Sequence, residues 1–144
     1  MRSMDTVFSV CSTLAAVGWL LLVLLPRWRA TQALAAVAIP LAISVVYLVL
    51  IVRYMPGSSG GFDSLTDVAA LFSDRGLLLA GWVHYLAFDL FIGSWEVRDA
   101  TRLKLPHLLV IPCLLLTFML GPIGLLAYFG LRLVRTGATR MVPV

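Results

Sequence analysis

Asp89 is the residue whose type and position most favour chemistry. It interrupts the stretch from Gly76 to Trp95, which otherwise carries no Asp, Glu, Lys or Arg. A carboxylate at the centre of a membrane helix costs about 2.5–3.5 kcal/mol even on the mildest scales, so we expect Asp89 to face other helices and to be paired or protonated. Such a group serves as a general acid, a proton carrier or a ligand anchor, and an equally weighted alternative is a structural polar contact between helices.

Helical phase places aromatic side chains beside this acid. At about 100° per residue, Trp82 and Tyr85 project on the same face as Asp89, and Glu96 continues that face. Tyr85 is one turn before Asp89 and can donate a hydrogen bond to it. The face predicts an aromatic slot with an acid at depth, which suits a long apolar ligand with a polar or reactive end. Trp82 and Tyr85 are therefore candidate ligand-binding residues.

The two histidines, His84 and His107, each have more than one candidate partner. His84 is about 140° from Asp89 in phase, so the two side chains lie on different faces. A neutral buried histidine that bonds a hydroxyl of helix 1 or 2 is slightly favoured for His84, and a general acid or base is the alternative. His107 should lie about 10–15 Å from His84 in depth, and we expect it to pair with Glu96 or Asp99. We predict no metal site and no cofactor.

The elements that position these residues are predicted to be membrane helices. The chain has 144 residues, of which 61% are hydrophobic and 12% charged. A soluble domain carries about a quarter charged residues, so a soluble globular domain and a disordered chain are both excluded. The length allows one domain, 1–144. Charge-free windows of about 20 residues or more predict an all-α bundle with four transmembrane helices. These helices run near 5–25, 32–54, 75–97 and 106–133.

A short amphipathic helix is predicted between the second and third of these helices. A flexible Gly- and Ser-rich linker, 55–61, comes first. Ser64 and Asp67 then resemble a capping box, and apolar residues follow at helical spacing. This pattern predicts an interfacial helix near 64–73. A simple connector is favoured over a lid above a lateral opening.

Gly121 and Pro122 predict a kink in the fourth helix. Pro122 cannot donate a backbone hydrogen bond, so the carbonyl of Phe118 is left free and needs another partner in lipid. At the depth of Asp89, the kink would make room for a ligand or give the acid a neighbour, so Gly121 and Pro122 are candidate ligand-binding residues. Close packing of small residues between helices is the alternative, and it is favoured for the glycines alone.

The basic residues fall at predicted helix ends, where a formal net charge of +4 suits lipid headgroups. The lipid bilayer is the expected partner, and nucleic acid is not. With four spans both termini lie on one side, called side A, and the loop around residue 28 lies on side B. Side A is assigned Arg2, Arg53, Arg75, Arg132, Arg135 and Arg140, and side B is assigned Arg27, Arg29, Arg98, Arg102 and Lys104. This near balance leaves the orientation open, and a homo-oligomer or a larger membrane complex stays open as well.

Two stretches together resemble one known family. They are the pattern Trp82-x-His84, four residues and then Asp89-Leu-Phe, and the later Gly121-Pro122-x-Gly124. The family is that of the plant plastid membrane protein called abscisic acid deficient four, with its bacterial relatives, and the resemblance covers roughly residues 6–135. It implies a small four-helix membrane bundle. The plant member is associated with the formation of neoxanthin from violaxanthin.

This resemblance implies the isomerisation of a carotenoid epoxide, or a related isoprenoid, to an allene. That reaction needs an acid for the epoxide oxygen and a base for a proton of the polyene, and His84 and Asp89 become the candidate catalytic residues. Trp82 becomes the candidate for contact with the polyene. No Ser- and Arg-rich extension precedes helix 1, so we expect a bacterial inner membrane. The alternative function is a non-catalytic lipid- or pigment-binding protein, or a subunit of a larger membrane complex.

Overall fold

The computed structural model describes residues 2–137, and every regular element in this range is helical. The α-helices are α1 (Arg2–Leu24), α2 (Arg29–Ala33), α3 (Ile39–Tyr54), α4 (Leu65–Ser73), α5 (Arg75–Arg102), α6 (His107–Leu120) and α7 (Pro122–Thr136). Arg140, which the four-span prediction assigns to side A, lies outside the described residues. The core forms where α1, α3 and α5 meet, around the buried side chains of Leu22, Ile43 and Leu90.

Three helices are long and apolar enough to cross a membrane, by length and composition. They are Ser3–Leu24, Arg29–Tyr54 and Arg75–Arg102. They coincide with the first three predicted spans, although the third continues past its predicted end at residue 97. Residues 98–102 extend the helix. They include charged residues, which lower the local hydropathy and lead to a predicted end at residue 97.

The second span is not a uniform α-helix. A π-helical segment, Leu34–Ala38, joins α2 to α3 directly before Pro40. Pro40 has no N–H to donate and its ring crowds the preceding turn, which is a common origin of such an irregularity. The wider turn brings Ala35 and Ala36 into the core.

The short helix α4 forms where the sequence predicts it. The Ser64 hydroxyl accepts a hydrogen bond from the backbone N–H of Asp67 at 3.1 Å and donates to the Asp67 carboxylate at 2.6 Å. Asp67 thus takes the place of the usual glutamate in the capping box. The position of α4 at a membrane interface stays a prediction.

The fourth predicted span, near 106–133, is not confirmed, because this region contains two helices, α6 and α7. They meet at Gly121, whose φ of +48° and ψ of −100° lie in a region that glycine reaches far more readily than other residues. A Cβ added at Gly124 would collide with the backbone of Thr117, so α7 packs directly on α6. We call α6 and α7 together the hairpin and Gly121 its tip.

The hairpin lies beside the second half of α5. Its tip is next to Asp89, midway along α5. The Tyr128 hydroxyl donates to Asp99 Oδ2 at 2.7 Å, and Arg132 Nε lies 3.1 Å from the same oxygen. The end of α7 therefore returns to the end of α5, which is side B, and the assignment of Arg132 and Arg135 to side A is wrong.

Candidate functional site

An open groove lies between α1 and α5, beside the first half of α5. Its volume is about 760 Å³. The hairpin covers mainly the second half of α5. The first half of α5 is left open on the side that faces α1, and the groove lies there. The lining residues come from α1, α4, α5 and α6: Met4, Asp5, Phe8, Ser12, Phe72, Arg75, Leu78, Leu79, Gly81, Trp82, Tyr85, Leu86, Phe118 and Met119.

Trp82 forms the aromatic wall of the groove. Its indole N–H donates to the Ser12 hydroxyl on α1 at 3.1 Å. Its ring lies 5.5 Å from the rings of Phe8 and Tyr85, between centroids, in tilted contacts. The side chain is still 41% exposed, so the ring presents free surface to a ligand. Trp82 and Tyr85 line the same groove, in agreement with their helical phase.

Tyr85 places a hydroxyl at the deep end of the groove. This hydroxyl donates to the backbone carbonyl of Phe118 at 2.8 Å. Phe118 lies in the last turn of α6, where carbonyls have no partner within the helix, and Pro122, four residues later, has no N–H to offer it. The sequence predicts that this carbonyl needs a partner, and the structure identifies Tyr85 as that partner.

Asp89 lies one turn behind Tyr85, against the tip of the hairpin. A Cβ added at Gly121 would be 3.1 Å from Oδ1 and 3.2 Å from Oδ2 of Asp89, so a larger residue would crowd this carboxyl group in addition to the strain of the positive φ. The Tyr85 hydroxyl is close enough to the Asp89 carboxyl group to interact with it. Oδ2 is buried and has no hydrogen-bond partner among the described residues. A ligand hydroxyl or a proton would satisfy this oxygen.

The mouth of the groove is polar. Arg75 and Asp5 form an exposed ion pair there, with Nη2 and Oδ1 3.4 Å apart. An exposed pair of this kind contributes about 0–1 kcal/mol to stability, so it is easily opened. Phe72 of α4 also lines the groove and packs over Gly81, which places α4 beside the opening.

The structure does not bring His84 and Asp89 together. His84 is exposed on another face of α5, where its ring stacks on Phe88 at 4.5 Å and meets the edge of Tyr47 at 5.4 Å, between centroids. Its contact with helix 2 is thus made through aromatic rings. His84 has no place among the residues that line the groove.

The predicted pairing of His107 with Glu96 or Asp99 is wrong. His107 Nε2 lies 3.0 Å from the carbonyl oxygen of Val23 at the end of α1. The two acids are bonded instead by residues of the hairpin. Within the described range, no group of three or more His, Cys, Asp and Glu side chains is arranged to hold a metal ion.

Several residues of the site carry no signal that the sequence alone reveals. Phe8 and Ser12 are one turn apart on α1, but nothing in the chain indicates that they face Trp82. Phe118 is different, because the rule for prolines identifies its free carbonyl in advance. Pairing that carbonyl with Tyr85 requires the three-dimensional position of the hairpin.

Comparisons with known proteins agree on one relationship. The family model described as ABA DEFICIENT 4-like matches residues 6–128. The chain is similar to Protein ABA DEFICIENT 4, chloroplastic, of Arabidopsis thaliana, with 27% identity over 136 residues that cover 87% of this chain and 60% of the plant protein. The chain therefore spans less than two thirds of the length of that relative. No solved structure gives a significant match.

Proposed function

Because the chain belongs to the ABA DEFICIENT 4-like family, we propose that it is an integral membrane protein that binds a carotenoid or a related isoprenoid and isomerises it. The groove between α1 and α5 is the proposed binding site. The carotenoid is proposed from the family resemblance, and the apolar and aromatic lining of the groove supports it.

The observation that carries the proposal is the polar deep end of a groove whose walls are apolar and aromatic. The Tyr85 hydroxyl lies at this deep end and Asp89 lies directly behind it. Arg75 and Tyr85 are about 15 Å apart along α5, at 1.5 Å per residue. This length is about half of a hydrocarbon core of ~30 Å. The groove can therefore hold only one end of a ligand that is long enough to span the bilayer, and the rest of that ligand would lie in lipid.

In the proposed reaction, Asp89 and Tyr85 move one proton out and one proton back. Protonated Asp89 passes its proton through the Tyr85 hydroxyl to the epoxide oxygen, while one epoxide C–O bond breaks and the oxygen becomes a hydroxyl group. The C–H bond of the neighbouring polyene carbon then breaks, and its electron pair forms the second double bond of the allene. The Tyr85 hydroxyl passes that proton back to the Asp89 carboxylate, so the product is an isomer of the substrate.

The remaining candidate residues have positioning roles or none. Trp82 is proposed to lie against the polyene, since its ring is part of the exposed wall. Gly121 and Pro122 are not among the residues that line the groove. They act from behind its deep end, because Gly121 lets the tip approach Asp89. Pro122 has no N–H that could compete with Tyr85 for the Phe118 carbonyl. His84 is left out of the mechanism because it faces away from the groove.

We also propose how the chain lies in the membrane. The three long helices cross it, and the hairpin enters from side B and turns back midway. The α4 helix lies at the side-A interface, where Phe72 borders the mouth of the groove. A bacterial inner membrane remains the proposed location.

The test is to purify the protein from a host that makes an epoxy carotenoid and to record its visible spectrum. The pigments are then extracted and separated, and the allenic isomer is quantified. We expect the wild-type protein to carry a polyene and to form the isomer. Tyr85→Phe and Asp89→Asn should keep the pigment and lose the product, whereas His84→Ala is the matched control on the same helix and should keep both.

Two results would overturn parts of this proposal. A wild-type protein that carries pigment but forms no isomer supports the non-catalytic pigment-binding alternative. A wild-type protein that carries no isoprenoid, with the groove residues intact, removes the proposed ligand altogether.

A further inference from the structure

Another carboxyl group lies on α5 beyond the deep end of the groove. Glu96 is seven residues after Asp89 and therefore on nearly the same face. It is 0% exposed. The Thr117 hydroxyl on α6 donates to Oε1 at 2.9 Å, but Oε2 is buried with no hydrogen-bond partner among the described residues. Asp89 Oδ2 is in the same condition.

Positive charge on this face is already matched. In the described part of the chain, the cation that contacts the interface between α5 and the hairpin is Arg132, which is 0% exposed. Arg132 Nε lies 3.1 Å from Asp99 Oδ2, which also accepts from the Tyr128 hydroxyl. Asp89 and Glu96 therefore share this interior without a cation of their own among the described residues.

The groups around Glu96 are neutral or acidic. On α6 they are Thr117 and the thiol of Cys113, and on α7 the nearest ionisable group is the Tyr128 hydroxyl. On α5 itself Asp89 is within electrostatic reach of Glu96. Two ionised carboxylates in such surroundings would repel each other as well as lose their hydration. A proton on each carboxyl group removes both costs.

We propose that Asp89 and Glu96 form a buried proton site that holds two protons at neutral pH. Each unpartnered oxygen carries or accepts a proton, so the interface between α5 and the hairpin is neutral except for the pair of Asp99 and Arg132. Glu96 acts through Asp89, because ionisation of either carboxyl group favours a proton on the other, and it is therefore a positioning residue. This role requires no bound ligand, although it also supplies the protonated Asp89 on which the proposed function rests.

The experiment is infrared spectroscopy of the purified protein at neutral pH, in a detergent that contains no carbonyl group and without added pigment. A protonated carboxyl group has a C=O stretching band separate from those of a carboxylate, and this band shifts in D₂O when the proton exchanges. We expect Asp89→Asn and Glu96→Gln each to remove part of the band, and the double variant to remove all of it. Asp63→Asn changes an exposed carboxyl group and is the matched control, which should leave the band unchanged.

The result is decisive even if one variant folds poorly. The absence of a protonated-carboxyl band in the wild type overturns the proposal, and so does a band that folded Glu96→Gln leaves intact. If Glu96→Gln does not fold, as judged by its helical circular dichroism and elution volume, Asp89→Asn decides. A residual band in that variant supports a protonated Glu96, and complete loss of the band contradicts it. Because no pigment is present, failure here is distinguishable from failure of the isomerase proposal.

Discussion

The two halves of α5 border different surroundings although they belong to one continuous helix. The first half lines an open groove, whose ion pair between Asp5 and Arg75 is exposed. The second half is covered by the hairpin, whose ion pair between Asp99 and Arg132 is buried. Buried charges that are bonded fix the position of a neighbouring element, whereas exposed ones contribute little. The hairpin half is therefore the more strongly anchored of the two, and the groove half is open.

Removing the buried cation of the hairpin half should cause the largest loss of stability. Arg132→Met would leave the Asp99 carboxylate buried without its charge partner, and we expect a loss of about 3–5 kcal/mol in the free energy of unfolding. The measurement is denaturant unfolding in detergent, followed by circular dichroism. Arg135→Met is the matched control, because Arg135 is exposed on the same helix and should change stability by less than about 0.5 kcal/mol. Equal losses in both variants would show that the pair does not anchor the hairpin.

The contact between the two hairpin helices should be the next most sensitive. Gly124→Ala adds a methyl group that collides with the backbone of Thr117, so α6 and α7 must separate, at a cost of about 1–3 kcal/mol. The same unfolding assay measures it. Gly130→Ala is its control on α7, since a Cβ there meets nothing within 4 Å, and it should be neutral or stabilise by up to about 1 kcal/mol. A harmless Gly124→Ala would contradict the close packing of the hairpin.

A substitution at the boundary between the two halves of α5 should lower the free energy of unfolding by less than Gly124→Ala does. Tyr85→Phe removes the donor to the Phe118 carbonyl, and we expect a loss of about 0.5–1.5 kcal/mol in unfolding free energy. Tyr47→Phe is the comparison, because it keeps the ring contact with His84 and alters no hydrogen bond to the hairpin. If Tyr85→Phe lost more unfolding free energy than Gly124→Ala, the contacts beside the groove would stabilise the fold more than those of the hairpin do.

The smallest change in stability is expected inside the groove. Ser12→Ala removes the acceptor of the Trp82 indole N–H, and the free energy of unfolding should change by less than about 0.5 kcal/mol. The freed ring should nevertheless lower the amount of pigment that copurifies. Ser9→Ala serves as the control, since the Ser9 hydroxyl bonds only within α1, to the carbonyl of Asp5. Unchanged pigment in Ser12→Ala would remove the proposed role of Trp82.

Local rules were sufficient for much of the fold. Charge-free length located the three long helices, and the capping pattern located α4 at Ser64. Helical phase correctly separated His84 from Asp89, since phase depends only on spacing within one helix. The Phe118 carbonyl does need another partner, as expected, but it is free because α6 ends there and not because Pro122 interrupts a continuous helix.

The hairpin could not be predicted in this way. Residues 105–131 carry no charge and are long enough for one crossing, and a hydropathy window measures length but not direction. The reversal depends on the backbone at Gly121 and on a pair, Asp99 and Arg132, whose members are far apart in sequence. The prediction for His107 failed because it also depended on the reversal of the chain. Glu96 and Asp99, the acids nearest to His107 in sequence, are bonded by Thr117 and Tyr128 once the hairpin has formed.

The return of α7 to side B also decides which charges have to be translocated when the chain enters a bilayer. Among the described residues, the proposed arrangement places Arg2, Arg53 and Arg75 on side A, whereas side B holds Arg27, Arg29, Arg98, Arg102, Lys104, Arg135 and the buried Arg132. The near balance of the four-span arrangement is thereby replaced by a clear excess, and the positive-inside rule then predicts that side B faces the cytoplasm. In the proposed arrangement, the hairpin enters the membrane from that side and turns back, so no arginine of α7 has to cross the membrane.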